Sequence, residues 1–186
     1  MIRKISAFIV FMTLLVLTAC GGSQVKRDAT PVEVDPPLGK PYKTILFEAF
    51  ETTPVISKDY PNALEDCQSS AIATLEKKGS FRTVGLRGER SGLKGETLLI
   101  KVKVSDMRIA GTSARIWGGS LAGVSYMNLD LEFVDLCTNR VVRKKSMATQ
   151  GNPMAATWSF GATDRNMPHD MGLIIGEYIV AIVPNP

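Results

Sequence analysis

Apolar and polar residues alternate in two stretches near the middle of the chain. Within residues 96–109 and 125–134, apolar side chains take every second position: Leu98, Ile100, Val102 and Val104, then Met127, Leu129, Leu131 and Phe133. A period of two is typical of strands with one buried and one solvent-exposed face. The positions between carry Lys101 and Lys103 in the first stretch and Asp130 and Glu132 in the second, which favours pairing between the two strands.

Shorter stretches predict three further strands and two helices. The strands cover residues 42–50, 81–86 and 140–148, the last after a turn at residues 134–140. The first helix opens at Pro61, since proline is tolerated at the first helical position. It ends at Gly79, which can take the left-handed cap. Its apolar side chains share one face: Leu64, Cys67, Ala71 and Leu75.

A last helix is predicted over residues 168–183. Its expected buried stripe consists of Met171, Ile174, Ile175, Tyr178 and Ile182. Gly172 and Gly176 lie four residues apart, so they share one side of the helix. We expect them to let the helix backbone approach the sheet closely.

The order of elements, β-α-β-β-β-β-α, predicts an α+β fold. We expect a two-layer sandwich in which two main helices cover one face of a mostly antiparallel sheet of about five strands. Residues 42–186 are predicted to form this single domain. A polar, glycine-rich loop at residues 87–95 and a longer connection at residues 111–123 lie between its strands.

The first 19 residues have the pattern of a signal peptide. Arg3 and Lys4 precede an almost wholly apolar segment, residues 5–17. As a helix this segment would be about 20 Å long, and a bilayer core needs roughly 20 apolar residues. The segment is therefore typical of a signal-peptide core rather than of a permanent membrane span.

Leu17-Thr18-Ala19-Cys20 follows directly and resembles the bacterial lipobox. Small residues before the cysteine fit the peptidase, and the Cys20 thiol receives diacylglycerol. The resemblance implies cleavage before Cys20, acylation with fatty acids such as palmitate, and a stable membrane anchor. Gly21 points to the periplasmic face of the outer membrane under enterobacterial sorting rules, which other lineages follow loosely. The alternative is an ordinary cleaved signal peptide with an incidental cysteine.

Residues 20–41 are predicted to be the lipidated N-terminus and a tether, because four prolines and three glycines leave no apolar period there. Removing residues 1–19 changes the charge balance. The whole chain carries 22 bases and 18 acids, and the loss of Arg3 and Lys4 reduces its net charge from +4 to +2. This balance gives no sign of nucleic-acid binding.

Composition excludes other classes of protein. At 45% hydrophobic and 22% charged residues, the chain is neither wholly disordered, collagen-like nor a polytopic membrane protein. Its single histidine, His169, excludes a His-rich zinc site within one copy.

Candidate catalytic patterns are incomplete. Gly118–Ala122 approaches Gly-x-Ser-x-Gly but ends in alanine, and a strand follows where a nucleophile elbow needs a helix. Asp164, His169 and Asp170 could form a metal or acid–base cluster, although such residues near a helix start are usually caps. Met154, Met167 and Met171 are expected to fill core gaps rather than bind copper. We therefore predict no catalytic residue, metal or cofactor, with a hydrolase as a remote alternative.

Residues 111–123 are the candidate contact segment. They hold four glycines interleaved with Arg115, Ile116, Trp117 and Leu121. One interpretation is a flexible connection between two strands. The other is a mobile loop that presents these four side chains to a partner or to lipid, because exposed aromatic residues beside a basic one are typical interface anchors.

Two cysteines remain once Cys20 is assigned to lipid. An even number in an oxidising periplasm favours a disulfide between Cys67 and Cys137. Closing this loop of about 70 residues would stabilise the fold by about 4 kcal/mol. The alternative is two separate thiols, with Cys67 on the buried face of its helix.

Residues 45–183 resemble bacterial lipoproteins of the domain of unknown function 4410 family. The matching features are Tyr60-Pro61, the Arg115…Gly119…Ala122-Gly123 segment, Asp135…Thr138 and the terminal helix. Asn139 and Cys137 depart from the usual turn. The resemblance implies a fold similar to the amino-terminal domain of TolB, the curli secretion lipoprotein and the lipoprotein activators of penicillin-binding proteins.

The functional expectation is a lipid-anchored, non-catalytic binding, assembly or regulatory module of the cell envelope. Its partners would be membrane lipid, through acylated Cys20, and an envelope protein or glycan. An alternative is an oligomeric component of a secretion or trafficking assembly that uses the segment around Trp117.

Overall fold

The computed structural model describes residues 35–88 and 95–184, and this part of the chain forms one sheet and its covering helices. The strands are β1 (Thr44–Phe47), β2 (Glu51–Thr52), β3 (Thr83–Leu86), β4 (Thr97–Arg108), β5 (Tyr126–Asp135) and β6 (Arg140–Gln150). The helices are α1 (Pro54–Asp59), α2 (Ala63–Lys78), α3 (Thr112–Gly118), α4 (Pro153–Trp158), α5 (Ala162–Arg165) and α6 (Met167–Ile182), and a 3-10 turn covers Gly119–Ala122. The predicted signal peptide, the predicted lipobox with Cys20 and most of the predicted tether lie outside the described residues.

The predicted two-layer α+β sandwich is confirmed, and the sheet has the order β3-β1-β4-β5-β6, with β2 also on β4. The antiparallel half consists of β4, β5 and β6, as expected. The other half is parallel, because β1 pairs in parallel with both β3 and β4. Helix α2 carries the chain back from the end of β1 to the start of β3, and such a crossover makes the two strands parallel.

Cross-strand register confirms the predicted charge pairing on the exposed face of the sheet. Lys101 lies opposite Glu132, and Lys103 lies opposite Asp130. On the next strand, the Lys144 ammonium lies 2.9 Å from the Glu132 carboxylate. These pairs are solvent-exposed, so each contributes only about 0–1 kcal/mol to stability.

Helices α2 and α6 cover the other face, where the main hydrophobic core lies. Gly172 and Gly176 face α2 rather than the sheet, which corrects the sequence prediction. A Cβ at Gly172 would overlap the Cys67 carbonyl oxygen and lie 2.7 Å from Ser70 Cβ. The glycines therefore set the distance between the two helices. At this close approach, the Ser70 hydroxyl of α2 donates to the His169 carbonyl of α6 at 2.8 Å.

Other details of the core differ from the expectation. Ile174, placed in the buried stripe of α6, is 44% exposed. Leu99, placed between the buried positions of β4, is itself buried in a small second cluster with Leu46 and Val134. The first long helix begins at Ala63 rather than Pro61, with Asn62 at its N-cap position, and a separate short helix, α1, precedes it with Thr53 as its cap.

The predicted disulfide is not formed, and both cysteines are free thiols. Cys67 is buried beside Gln68, whose side chain accepts from the Phe50 backbone N–H beyond the end of β1. Cys137 is exposed in the β5–β6 turn, at the opposite end of the sheet. Several residues of strand, at about 3.3 Å each, separate these two ends, whereas bridged Cα atoms lie about 4.4–6.8 Å apart.

The first described residues lie against the end of the domain where α6 finishes. The Asp35 carboxylate accepts from the Tyr178 hydroxyl at 2.8 Å and pairs with Lys145 at 2.6 Å. The Leu38 N–H donates to the Ile182 carbonyl at 2.7 Å. The chain therefore joins the domain at the C-terminal end of α6. Within residues 35–88 and 95–184, no helix combines the length and the hydropathy needed to cross a membrane.

Candidate functional site

Residues 111–123 fold into a helix and a tight turn rather than a loop. Helix α3 starts after Gly111, and the 3-10 turn follows it directly. The turn ends at Gly123, where φ is +89° and a Cβ would lie 2.6 Å from Arg108 Nη1. The Arg108 guanidinium fills that space and donates to the carbonyls of Ala122 and Val124 at 3.1 and 3.2 Å. Both earlier interpretations, a flexible connection and a mobile loop, are therefore replaced by an ordered element.

A second segment, residues 151–166, folds against the first. Asn152 caps α4 by accepting from the N–H groups of Met154 and Ala155, and Pro153 occupies the first helical turn. Gly161, at φ +79°, separates α4 from α5. The Arg165 guanidinium donates to the Thr112 hydroxyl at 2.7 Å and so joins α5 to α3. Both segments lie at one end of the strands, where β4 ends, β5 begins and β6 ends. Arg108, Tyr126 and Gln150 are cross-strand neighbours at this end of the sheet.

A buried ion pair fixes these short helices to each other. Arg115 Nε donates to Asp164 Oδ2 at 2.7 Å, and Arg115 Nη2 donates to Asp164 Oδ1 at 3.3 Å. The third guanidinium nitrogen donates to the Gly119 carbonyl at 3.3 Å. Both charged side chains have no solvent exposure. Arg115 was predicted to contact a partner; that prediction is wrong, because its charge is used inside the fold.

Six large apolar side chains are exposed on the two segments that this ion pair joins, and we call them the apolar platform. Their exposed fractions are 55% for Ile116, 90% for Trp117, 92% for Leu121, 59% for Met154, 82% for Trp158 and 65% for Phe160. Large exposed apolar patches on soluble proteins are often interaction sites. Ile116, Trp117 and Leu121 were predicted to face outward, and the structure places them so.

The backbone at Phe160 is held in a costly conformation. Its φ is +51°, in the left-handed region that side chains other than glycine rarely adopt. Three contacts hold it there: Gly161 N–H donates to Ala156 O at 2.7 Å, Phe160 N–H donates to Thr157 O at 3.3 Å, and Arg165 Nη1 donates to Phe160 O at 3.2 Å. Strain of this kind concentrates at functional positions.

Formal charge is sparse around the platform. Within residues 111–123 and 151–168, three charged residues occur, of which Arg115 and Asp164 are buried together. The remaining one, Arg165, is exposed, and Arg108 adds a second exposed base beside the 3-10 turn. The exposed charge within the two segments is therefore basic, while exposed Asp106 and Asp170 lie outside them, on β4 and in the first turn of α6.

The other candidate residues do not come together into a reactive site. Asp164 is bound to Arg115, and His169 lies exposed in the first turn of α6 beside exposed Asp170. The residues that the structure describes hold no group of three or more His, Cys, Asp or Glu side chains placed to bind a metal. Met154, expected in the core, belongs to the platform, whereas Met167 and Met171 are buried as expected. The polar, glycine-rich loop at residues 87–95 was also a candidate contact surface, and its residues 89–94 lie outside the described residues.

A cavity of about 490 Å³ lies on the exposed face of the sheet, away from the platform. Its charged lining residues include Glu48, Lys101, Lys103, Asp130 and Glu132. Lysines and acids alternate across it, as in the pairs Lys101–Glu48 and Lys144–Glu132. Because the opposite charges lie next to one another, the cavity has no strong preference for an anion or a cation.

Sequence reasoning missed half of the platform. Met154, Trp158 and Phe160 fall in an apolar stretch without helical or strand period, between Asn152 and Gly161. One feature of the sequence could have indicated this surface: Trp158, the second tryptophan of the chain, lies in a segment without the apolar periodicity of a core element. Nothing in the sequence linked Arg115 to Asp164, because the pair joins positions 49 residues apart.

No protein-family model matches the chain, and no curated protein matches it in sequence, so membership of the domain of unknown function 4410 family is not confirmed. Among solved structures, the chain is similar to the PelC dodecamer from Paraburkholderia phytofirmans, at 13% identity and a TM-score of 0.51, over 80% of this chain and 94% of that one. A single-residue variant of that dodecamer gives 12% identity and a TM-score of 0.52, over 81% and 94%. A Xanthomonas campestris protein of the domain of unknown function 330 family is 13% identical over 81% and 92%, with a TM-score of 0.48. At these identities, the likeness to PelC shows a shared fold alone.

Proposed function

We propose that this protein is a lipid-anchored, non-catalytic module of the bacterial envelope that docks to other envelope components through the apolar platform. The observation that carries the proposal is the platform itself. Six large apolar side chains are exposed together, on elements fixed by a fully buried ion pair. Solvent exposure of so much apolar surface is unfavourable unless a partner covers it.

The anchor is the second part of the proposal. Acylation at Cys20 would place the domain on the periplasmic face of the outer membrane, where the platform meets envelope proteins, glycans and lipid. Replacing Cys20 by Ala should abolish incorporation of labelled palmitate and release the chain from the membrane fraction. Labelling equal to that of the unaltered chain would contradict lipidation at this residue.

Docking through the platform is tested by photocrosslinking in cells. A photoreactive amino acid is placed at Trp117, at Leu121 or at the control position Val141, which is 46% exposed at the opposite end of the sheet. We expect adducts with protein, with a second copy or with lipid at the two platform positions and not at Val141. Equal adduct patterns at all three positions would contradict docking through the platform.

A second candidate function is a subunit of a homo-oligomeric envelope assembly. It is supported by the likeness to PelC, whose two solved structures are described as dodecamers. Native mass spectrometry of the full acylated chain, extracted in mild detergent, tests it. A discrete multi-subunit species would support this function, and a strict monomer at all concentrations would contradict it.

A further inference from the structure

We infer that the apolar platform inserts into the membrane surface beside the protein's own lipid anchor, and that its occupant is therefore a phospholipid bilayer with anionic headgroups. The inference rests on the proposed function and names the partner of that site. Its first support is shape: Trp117, Leu121 and Trp158 are each more than four-fifths exposed, so they project from the domain. A projecting apolar tip needs a complementary groove in a folded partner, whereas a fluid bilayer needs none.

The side-chain types agree with a bilayer surface. Tryptophan places an apolar ring and a polar N–H at the boundary between acyl chains and headgroups. The aliphatic platform residues and Phe160 add apolar area without polar atoms. Phe160 combines a strained backbone with a ring that is exposed rather than packed into the core.

The charges agree as well. The exposed charge within the two platform segments, Arg165, is basic, as is Arg108, which binds the 3-10 turn; the acid within these segments, Asp164, is buried against Arg115. Basic residues at the rim of an inserting surface are attracted to anionic headgroups. The exposed acids Asp106 and Asp170 lie outside the two segments, on β4 and in the first turn of α6.

The tether is long enough for insertion next to the anchor. The chain joins the domain beside Ile182, at the C-terminal end of α6, while the platform lies beyond the N-terminal end of that helix. Helix α6 has 16 residues and is about 24 Å long. The steps from Cys20 to Asp35 number 15 and can extend to about 50 Å. The anchored domain can therefore turn its platform to the same membrane.

The chain's tryptophans give a direct test, because the two that it contains both belong to the platform. The acylated full chain is reconstituted into vesicles of phosphatidylethanolamine and phosphatidylglycerol, with or without bromine on the acyl chains. Bromine quenches only the tryptophans that reach the acyl region. We expect a loss of tryptophan emission in the brominated vesicles. Equal emission in both kinds of vesicle would overturn the inference.

Two variants separate insertion from simple anchoring. Ile116→Ser with Leu121→Ser leaves the anchor and both tryptophans intact, and the loss of each apolar side chain should lower the ratio of inserted to free platform about tenfold or more. Deleting residues 24–33 shortens the reach of the tether to about 16 Å, less than the length of α6. Both variants should recover the emission, whereas replacing residues 24–33 by Gly and Ser at equal length should not.

A matched control identifies the end of the domain that faces lipid. Both tryptophans are replaced by Phe, and Val141→Trp supplies a single reporter at the other end of the sheet. Quenching of this reporter, without quenching of the native pair, would overturn the inference. If bromine does not quench the native tryptophans but photocrosslinking at the platform yields adducts with protein, the inference about lipid is wrong and the proposed docking function stands. If there is neither quenching nor a platform-specific adduct, both the membrane insertion and the proposed docking function are wrong.

Discussion

The buried pair of Arg115 and Asp164 makes the apolar platform a unit that a single atom replacement should dismantle. In Asp164→Asn the side chain keeps its shape but loses its charge, so the Arg115 guanidinium is left buried without a counter-charge. Breaking one side of a buried ion pair costs about 3–5 kcal/mol. Two of the three hydrogen bonds that hold Arg115 end on Asp164.

We expect this loss of stability to open the short helices locally rather than to unfold the whole domain. Helices α3, α4 and α5 have seven, six and four residues, and helices this short are marginal in water without tertiary contacts. A loss of about 4 kcal/mol shifts an opening equilibrium by about a thousandfold. We therefore expect residues 112–122 and 153–165 to open while the sheet and the α2–α6 pair stay folded.

Two probes separate local opening from global unfolding. Tryptophan emission and amide hydrogen exchange at residues 112–118 report on the platform, because both tryptophans lie there. Far-ultraviolet circular dichroism reports mainly on the long helices and the sheet. We expect faster exchange and altered emission in Asp164→Asn, with a nearly unchanged thermal transition by circular dichroism. Native emission and native exchange rates in this variant would refute the reasoning.

A double variant provides the control. Arg115→Met with Asp164→Leu removes both charges and fills the space with apolar atoms, and such replacements of buried pairs are often neutral or stabilising. The double variant should recover slow exchange at residues 112–118, because it leaves no buried charge. Failure of the double variant to recover would mean that the Arg115 bond to the Gly119 carbonyl, rather than the ion pair, holds the platform.

Three further predictions concern the rest of the domain. Gly172→Ala should lower the free energy of unfolding by about 1–3 kcal/mol in chemical denaturation, because the clash is with α2 backbone, whereas Gly39→Ala, with open space around it, should change little. Cys137 should react rapidly with a thiol reagent and Cys67 only after unfolding, since burial raises the pKa of the Cys67 thiol to about 12; simultaneous reaction would contradict this. Burial raises the pKa of Asp135, but the hydrogen bonds that it accepts from Lys40 and two backbone N–H groups outweigh burial and hold the pKa below 3.8. The ionised Asp135 carboxylate therefore stabilises the fold above that pH, and this stabilisation is lost in more acidic solution. The melting temperatures of Asp135→Asn and the unaltered chain should therefore differ at neutral pH and converge in acid.

The sandwich could be predicted because its signals are local. Alternation along β4 and β5 follows from one buried face, and the lysine and acid positions fixed the side that would meet water. The helical stripe around Ala71 and Leu75 likewise follows from one buried side of α2. These patterns do not depend on which elements are neighbours, so each could be recognised in isolation.

The errors share a different cause. The parallel direction of β1, the partner of Gly172 and the burial of Arg115 each depend on residues distant in sequence. Arg115 beside Ile116 and Trp117 has the pattern of an exposed anchor group, and only Asp164 from α5 makes its burial favourable. The disulfide prediction was wrong for the same reason: two cysteines in an oxidising compartment favour a bridge, but the fold places Cys67, on α2, and Cys137, in the β5–β6 turn, at opposite ends of the domain.

The sequence by itself determined the two-layer fold; it predicts the lipid anchor at Cys20 and, as one of two interpretations, the outward direction of Trp117 and Leu121. Local periodicity and a short linear motif carry that information. Only the tertiary structure decided that two segments about 40 residues apart meet at the same end of the strands. This meeting adds Trp158 and Phe160 to the apolar platform. The antiparallel register of β4, β5 and β6 brings Arg108, Tyr126 and Gln150 side by side, and this register creates the platform.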